Sequence, residues 1–218
     1  MWWATGFSAF GPLLCTLNPA LNAFQRRIRF FRFLPAPRMT PTVTLHDKSF
    51  RLYQPAAAIA AAVAEVGARL DADYAGRRPL VVAVLNGSFM FAADVVRHLT
   101  VDGLEISFVK LASYEGTAST GAVKQLVGLR EEVAGRHVIV LEDIVDTGHT
   151  AHGLVEALRA QGAASVEVAC LLLKPAAVRV PLTVRYAGME IPNDFVVGYG
   201  LDYDGLGRHL PDLYQAIG

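Results

Sequence analysis

Two apolar periods alternate along the chain and lay out its elements. Thr42-Val43-Thr44-Leu45 alternates polar and apolar side chains, which predicts a short edge strand. Pro55 then opens a stretch in which Ile59, Val63, Val66 and Leu70 return at helical spacing, a stripe that a helix buries against a core. Residues 80–85 are apolar at every position, the pattern of a strand covered on both faces of a parallel sheet. They run into Asn86-Gly87-Ser88 and a second helix through Val96. A third strand is expected over 104–111, with Ile106, Phe108 and Lys110 alternating. The small, polar run 113–121 after it has the composition of a mobile loop. Val138 to Leu141 form another continuous apolar run, a helix continues through Leu154 and Leu158, and a strand is expected over 166–173. Strand and helix in alternation predict an α/β fold: a doubly wound, mainly parallel sheet flanked by helices. From Pro181 the pattern breaks into short strands over 182–186 and 195–199 and a Gly-rich tail. This predicts a small C-terminal hood lobe over the sheet's carboxyl edge.

A length of 218 residues suits one such domain. The chain is 53% hydrophobic, 18% charged and formally neutral. No basic excess points to nucleic acid, and no apolar run is long enough to span a bilayer. Cys15 and Cys170 are far apart and lack metal-ligand spacing, which favours a reduced, cytoplasmic setting. The neutrality conceals a break. Residues 1–46 hold no Asp or Glu but five arginines, Arg26, Arg27, Arg29, Arg32 and Arg38; taking these from 20 Lys and Arg leaves 15 against 20 acidic residues, a formal −5. The segment reads as an Arg-rich, acid-poor targeting leader, as residues upstream of a true start at Met39, or as a disordered or accessory extension. A secretory signal fits poorly, because the arginines follow the apolar stretch. The expected organisation is an extension over 1–38 and one domain over 39–218.

The candidate chemistry lies where the 138–141 run ends. Glu142 and Asp143 follow four apolar residues, and a buried strand does not end in two charges without compensation. Open α/β sheets bind ligands at this carboxyl edge. Asp146-Thr147-Gly148-His149-Thr150 leads into a helix, whose free N–H groups and dipole make an anion site. Asp146 reads either as a turn-former or helix cap or as a general acid or base. Thr147 and Thr150 can donate hydroxyls to a phosphate, and Gly148 permits close backbone approach. Carboxylates beside a phosphate cradle suggest a ligand that carries hydroxyls and phosphate. No Gly-x-x-x-x-Gly-Lys motif occurs, His149 and His152 lack a third metal ligand, and Gly198-Tyr199-Gly200 lacks the rest of a dinucleotide fingerprint. Lys174, at the end of an apolar strand, either snorkels or places a cation over the crevice. Phe195 is either core or a platform for a flat ring.

Residues 141–150 (LEDIVDTGHT) resemble the diphosphate-sugar signature of type I phosphoribosyltransferases, most of all the 6-oxopurine branch. Leu85-Asn86-Gly87-Ser88, the 113–121 loop, Lys174, residues 195–203 (FVVGYGLDY) and Gly207-Arg208-His209-Leu210-Pro211 extend the resemblance in family order. It implies transfer of a 5-phosphoribosyl group from 5-phosphoribosyl 1-diphosphate to N9 of hypoxanthine or guanine, with release of pyrophosphate. By the same resemblance, Glu142 and Asp143 hold the ribose hydroxyls and Asp146 handles the proton at purine N7. Thr147, Gly148, His149 and Thr150 cradle the 5′-phosphate. Lys174 donates to purine O6, Phe195 stacks on the ring, and backbone near Val196 and Asp202 reads N1–H and any 2-amino group. Arg208 touches pyrophosphate, and Leu85, Asn86 and Gly87 form a loop whose first peptide is cis in the family. Ser113 and Tyr114 open the loop that closes over the site. Magnesium is the implied cofactor, with Asp202, Glu142 and Asp143 as its protein carboxylates. A cytoplasmic homo-oligomer, dimer or tetramer, is also implied, with no nucleic-acid or membrane partner.

Some positions depart from the family pattern. His149 and Asn86 stand where some members carry lysine, and Ala176-Ala177 where many carry a further basic residue. These changes put the details of pyrophosphate binding in question. A xanthine-specific transferase is the rival within the class. A regulator that senses the diphosphate and binds nucleic acid is the rival outside it, but it needs a basic face or an added domain, whereas residues 47–218 are net acidic.

Overall fold

Residues 42–112 and 124–217 are described by the computed structural model and lie within the contact unit Thr40–Gly218. In chain order the elements are β1 (Thr42–Leu45), β2 (Lys48–Gln54), α1 (Ala56–Asp73), β3 (Leu80–Leu85) and α2 (Phe89–Val95) with a 3₁₀ turn (Val96–His98). Then follow β4 (Glu105–Ala112), β5 (Lys124–Val127), β6 (His137–Val145), α3 (His149–Ala160), β7 (Ser165–Leu173), β8 (Tyr186–Glu190), β9 (Val196–Val197) and β10 (Leu213–Ala216).

The continuous apolar strands pair side by side, as strands covered on both faces should. The larger sheet has the order β5-β4-β3-β6-β7-β8. All its pairings are parallel except the antiparallel β4–β5 edge. Alternation along β3 splits the core into two layers. Val81 and Ala83 face α1 and α2, joining Ile59, Val63, Val66, Leu70, Phe91 and Val95. Leu80, Val82 and Val84 face the other way, against Leu154, Val155 and Leu158 of α3. The stripe on α1 is buried as its spacing requires, each such side chain contributing about 1.5–3 kcal/mol.

The smaller sheet is antiparallel, in the order β1-β2-β10-β9, and its core is Leu45, Phe50, Val197, Leu210 and Tyr214. The tail supplies β9 and β10, but β1 and β2 come from the start of the domain, so the hood is built from both ends. Asp212 Oδ1 accepts from the Ala56 N–H at 2.7 Å, so the tail also satisfies the first turn of α1.

Other differences from the sequence expectations have local causes. β2 carries no clear strand pattern in the sequence, because only Phe50 of its seven residues is buried. Residues 182–186 do not form a hood strand. Leu182 and Val184 pack on the α3 layer, and the strand starts at Tyr186 as β8 of the larger sheet. The 195–199 strand shortens to Val196–Val197, because Gly198 turns the chain at φ +101°. The four-residue β5 gave no periodic signal. Among the described residues no helix is long and apolar enough to cross a membrane.

Candidate active site

β3, β6 and β7 run in the same direction, so the segments that follow them emerge at one edge. After β3 the Leu85–Asn86 peptide is cis. Ser88 Oγ then donates to the Val84 carbonyl at 2.6 Å, tightening the turn into α2. A side chain at Gly87 would overlap the Asp143 carboxylate, and one at Gly200 would overlap the Gly87 carbonyl oxygen. The hood tail therefore packs backbone to backbone on the loop after β3, so that only glycine fits at 200, and the Asp143 carboxylate of β6 lies against Gly87.

Glu142 is 6% exposed, and no described residue donates a hydrogen bond to its carboxylate. Burial first, then the charge of Asp143, pushes its pKa well above the ordinary value. Burial also raises Asp143, opposed by the backbone N–H groups of Ile144 and Asp143 and by Arg208, while Asp202 adds to the rise. The Ile144 N–H donates to Asp143 Oδ1 at 2.9 Å. Across the β6–β7 ladder from Glu142 lies Cys170, whose buried thiol is pushed up to about 12 by burial first and by Glu142 second. It is a packing group.

One step beyond the last β6–β7 pair, Lys174 Nζ meets Asp146 Oδ2 at 2.6 Å. The lysine side chain is 7% exposed and the aspartate 46%, so the buried ammonium is matched by a carboxylate that opens to solvent. The Thr147 carbonyl accepts from the Arg179 N–H at 3.0 Å. Gly148, at φ +82°, lies under Val178, Val180 and Leu182. That conformation, which side chains resist, turns the chain into α3. Thr147, His149 and Thr150 are exposed at its start, where the first N–H groups have no intrahelical acceptor and can receive an anion.

The hood supplies the other half. Phe195 is 45% exposed and packs against Tyr203, with centroids 5.8 Å apart and edge on, and against Phe50 at 6.2 Å. Lys48 Nζ stands 4.5 Å from the Tyr203 ring centroid and 5.6 Å from that of Phe195. Val196 is buried in β9, and the Phe195 carbonyl accepts from the Ala216 N–H. Arg208 donates to the Gly200 carbonyl at 2.6 Å and pairs with Asp202 Oδ1 at 2.6 Å. Asp202 Oδ2 accepts from the Gly205 N–H at 2.7 Å.

Three pairs of expected residues meet directly, Gly87 with Asp143, Asp146 with Lys174, and Asp202 with Arg208; Glu142 and Thr147 to Thr150 lie along the same β6–α3 segment, and Phe195 and Val196 in the hood. Ser113 and Tyr114 lie outside the described residues. Among the described residues no three His, Cys, Asp or Glu side chains converge as a cation cage. Asp143 nevertheless feels the charge of Asp202, and Glu142 that of Asp143. Such oxygen donors fit an ion that binds through one or two carboxylates and keeps its other positions for water and substrate phosphates. Sequence reasoning missed Lys48, since nothing in the pattern links a hairpin residue to Phe195. Tyr203, within the FVVGYGLDY run, is a further contributor through its contacts with Phe195 and Lys48.

A mainly parallel α/β sheet whose carboxyl edge carries a glycine turn into an exposed helix start, paired carboxylates and an aromatic hood is the arrangement of a class of sugar-phosphate transferases. The chain belongs to the phosphoribosyl transferase domain family, which it matches over residues 52–204. It is 42% identical over 154 residues to a hypoxanthine-guanine phosphoribosyltransferase of Streptococcus pneumoniae, covering 70% of this chain and 85% of the relative. The corresponding Streptococcus agalactiae enzyme is 45% identical over 148 residues, covering 67% and 82%. The crystal structure of a Bacillus anthracis hypoxanthine-guanine phosphoribosyltransferase aligns with a TM-score of 0.72 at 36% identity, covering 76% of this chain and 98% of the other. A Staphylococcus aureus hypoxanthine phosphoribosyltransferase aligns with a TM-score of 0.72 at 37% identity, covering 77% and 91%.

The Glu142 shift fixes the sign of a stability effect. Between the ordinary carboxylate value of 4.5 and the raised native value, the folded state binds more protons than the unfolded state. Stability therefore falls as pH rises through that window, and the penalty is complete above it. Glu142→Gln is expected to raise the melting temperature of the ligand-free protein at about pH 8, with the gain shrinking toward acid pH. Calorimetry across the pH series checks this; a gain that does not vary with pH would contradict it.

Proposed function

We propose that this chain catalyses purine salvage as a hypoxanthine–guanine phosphoribosyltransferase. It transfers the 5-phosphoribosyl group of 5-phosphoribosyl 1-diphosphate to N9 of hypoxanthine or guanine, giving IMP or GMP and pyrophosphate. The observation that carries the base assignment is the 2.6 Å Lys174–Asp146 pair at the end of β6 and β7. O6 and N7 are neighbours on one edge of a 6-oxopurine. A fixed donor beside an acceptor matches the O6 acceptor and a proton on N7, whereas the 6-amino group of adenine would face the ammonium donor to donor.

In this reading Glu142 and Asp143 accept from the ribose hydroxyls, and the N–H groups and hydroxyls from Thr147 to Thr150 hold the 5′-phosphate. Phe195 stacks on the base, and backbone at Val196 reads its far edge. As purine N9 bonds to C1′, the bond from C1′ to the diphosphate oxygen breaks, and its electron pair leaves with pyrophosphate. Asp146 takes the N7 proton, and Arg208 and the Leu85–Gly87 loop receive the leaving group. Asp202, Glu142 and Asp143 would hold magnesium, which would supply charge neutralisation for the leaving pyrophosphate. Positioning and electrostatics do most of the work for such a transition state. The family resemblance further supports a cytoplasmic homo-oligomer and a catalytic domain that begins near Met39.

Formation of IMP from hypoxanthine, the diphosphate and magnesium tests the assignment; no turnover with hypoxanthine, guanine or xanthine would overturn it. Asp146→Asn is expected to lower kcat by about 10²–10⁴-fold while leaving diphosphate binding nearly unchanged. Comparable losses in both would reassign Asp146 to binding. A chain starting at Met39 is expected to fold and keep full activity; loss of cooperative unfolding in calorimetry would show that residues 1–38 are structural.

A further inference from the structure

The pyrophosphate end of the site joins two segments more than a hundred residues apart, and one contact outside the substrate-facing groups ties them together. Tyr199 is 8% exposed and sits in the hood turn immediately before Gly200. Its Oη donates to Asp94 Oδ2 at 2.7 Å. Asp94 lies on α2, the helix that follows directly from the Leu85–Gly87 loop. Gly200 rests on the Gly87 carbonyl so closely that no side chain fits. The Gly200 carbonyl and N–H are bonded to the Arg208 guanidinium and carbonyl respectively. The contacts therefore close a ring: loop, α2, Asp94, Tyr199, Gly200 and back to the loop, with Arg208 and Asp202 hung from it.

The side chain that closes the ring is anchored on both sides. The Tyr199 N–H donates to the Leu210 carbonyl at 2.8 Å, and its ring belongs to the core layer that includes Phe91 and Val95 of α2. Tyr199 holds φ +46° without being glycine, a conformation that tertiary contacts must impose. Burial, then the hydrogen bond to Asp94, raises the phenol's pKa, so it remains a donor. Asp94 has a second partner, Arg97 Nη1 at 3.3 Å, but that pair is exposed and contributes little.

We propose that the Tyr199–Asp94 hydrogen bond is a positioning clasp that sets the Leu85–Gly87 loop against Arg208 and Asp202, and so governs binding of the diphosphate but not of the purine. The clasp rests on the function proposed above. It acts through Gly200 and Gly87, and neither partner touches substrate.

Tyr199→Phe keeps the buried ring and removes only the donor. The expected result is a rise of about three- to tenfold in KM for the diphosphate, the effect of one lost hydrogen bond, with KM for hypoxanthine unchanged. Asp94→Ala should reproduce this effect, Asp94→Asn should restore most of the loss through its remaining acceptor oxygen, and Arg97→Ala should have no effect. Calorimetric titration with magnesium pyrophosphate should show the same weakening without any turnover. Equal rises in both KM values, a lower melting temperature with both KM values unmoved, or an equal effect from Arg97→Ala would overturn the clasp. If the unaltered protein turns over no purine, the functional reading fails, and the pyrophosphate titration still decides the clasp.

Discussion

The site depends on the register between β6 and β7. Their parallel ladder pairs Glu142 with Cys170 and Val145 with Leu173, and the Lys174 N–H then donates to the Val145 carbonyl at 2.9 Å. That extra bond sets Lys174 opposite Asp146. A one-residue slip would turn every side chain to the opposite face, bury the wrong groups and separate the ion pair. The register is protected by burial on both faces: Ile139, Leu141, Ala169 and Leu171 fill one layer, and Val138, Val140, Val166 and Val168 the other. The precision of two charged side chains is thus inherited from uncharged strands.

With that register fixed, the charges at the edge become intelligible as groups awaiting partners. Removing an ammonium from water costs several kcal/mol, so Lys174 needs a strong acceptor at all times. Asp146 provides one in the free protein, and in the proposed function a purine O6 provides another. In the same proposal Asp146, which is more open to solvent, turns to N7 when the base binds. Glu142 and Asp143 tell the same story with opposite sign. Burial resists their ionisation, and sugar hydroxyls and a cation would relieve it. In the proposed function the ligands remove an electrostatic cost that burial imposes on the free site.

Much of this was readable along the chain, and for identifiable reasons. The run 141–150 is local: strand end, carboxylates, loop and helix start are consecutive, so their geometry follows from backbone rules alone. Lys174 could be placed because an apolar strand ends beside it. The hood was only half legible. Its tail carries aromatic and glycine signals, but β2 buries a single phenylalanine, and no spacing brings Lys48 to Phe195 or Tyr199 to Asp94. Those are long-range meetings decided by the tertiary fold. β8 was misplaced for a similar reason: Leu182 and Val184 look like a strand, yet they serve as apolar cover for the α3 layer.

In the proposed function Lys174 and Asp146 read adjacent atoms of a 6-oxopurine, and Asp146 takes the proton from N7. Steady-state kinetics with 7-deazahypoxanthine, in which carbon replaces N7 and O6 is kept, tests it most directly. If Asp146 acts on N7, the analogue binds competitively against hypoxanthine while nucleotide formation slows at least about 100-fold, the contribution of a positioned base. Turnover at a rate comparable to that of hypoxanthine would contradict it.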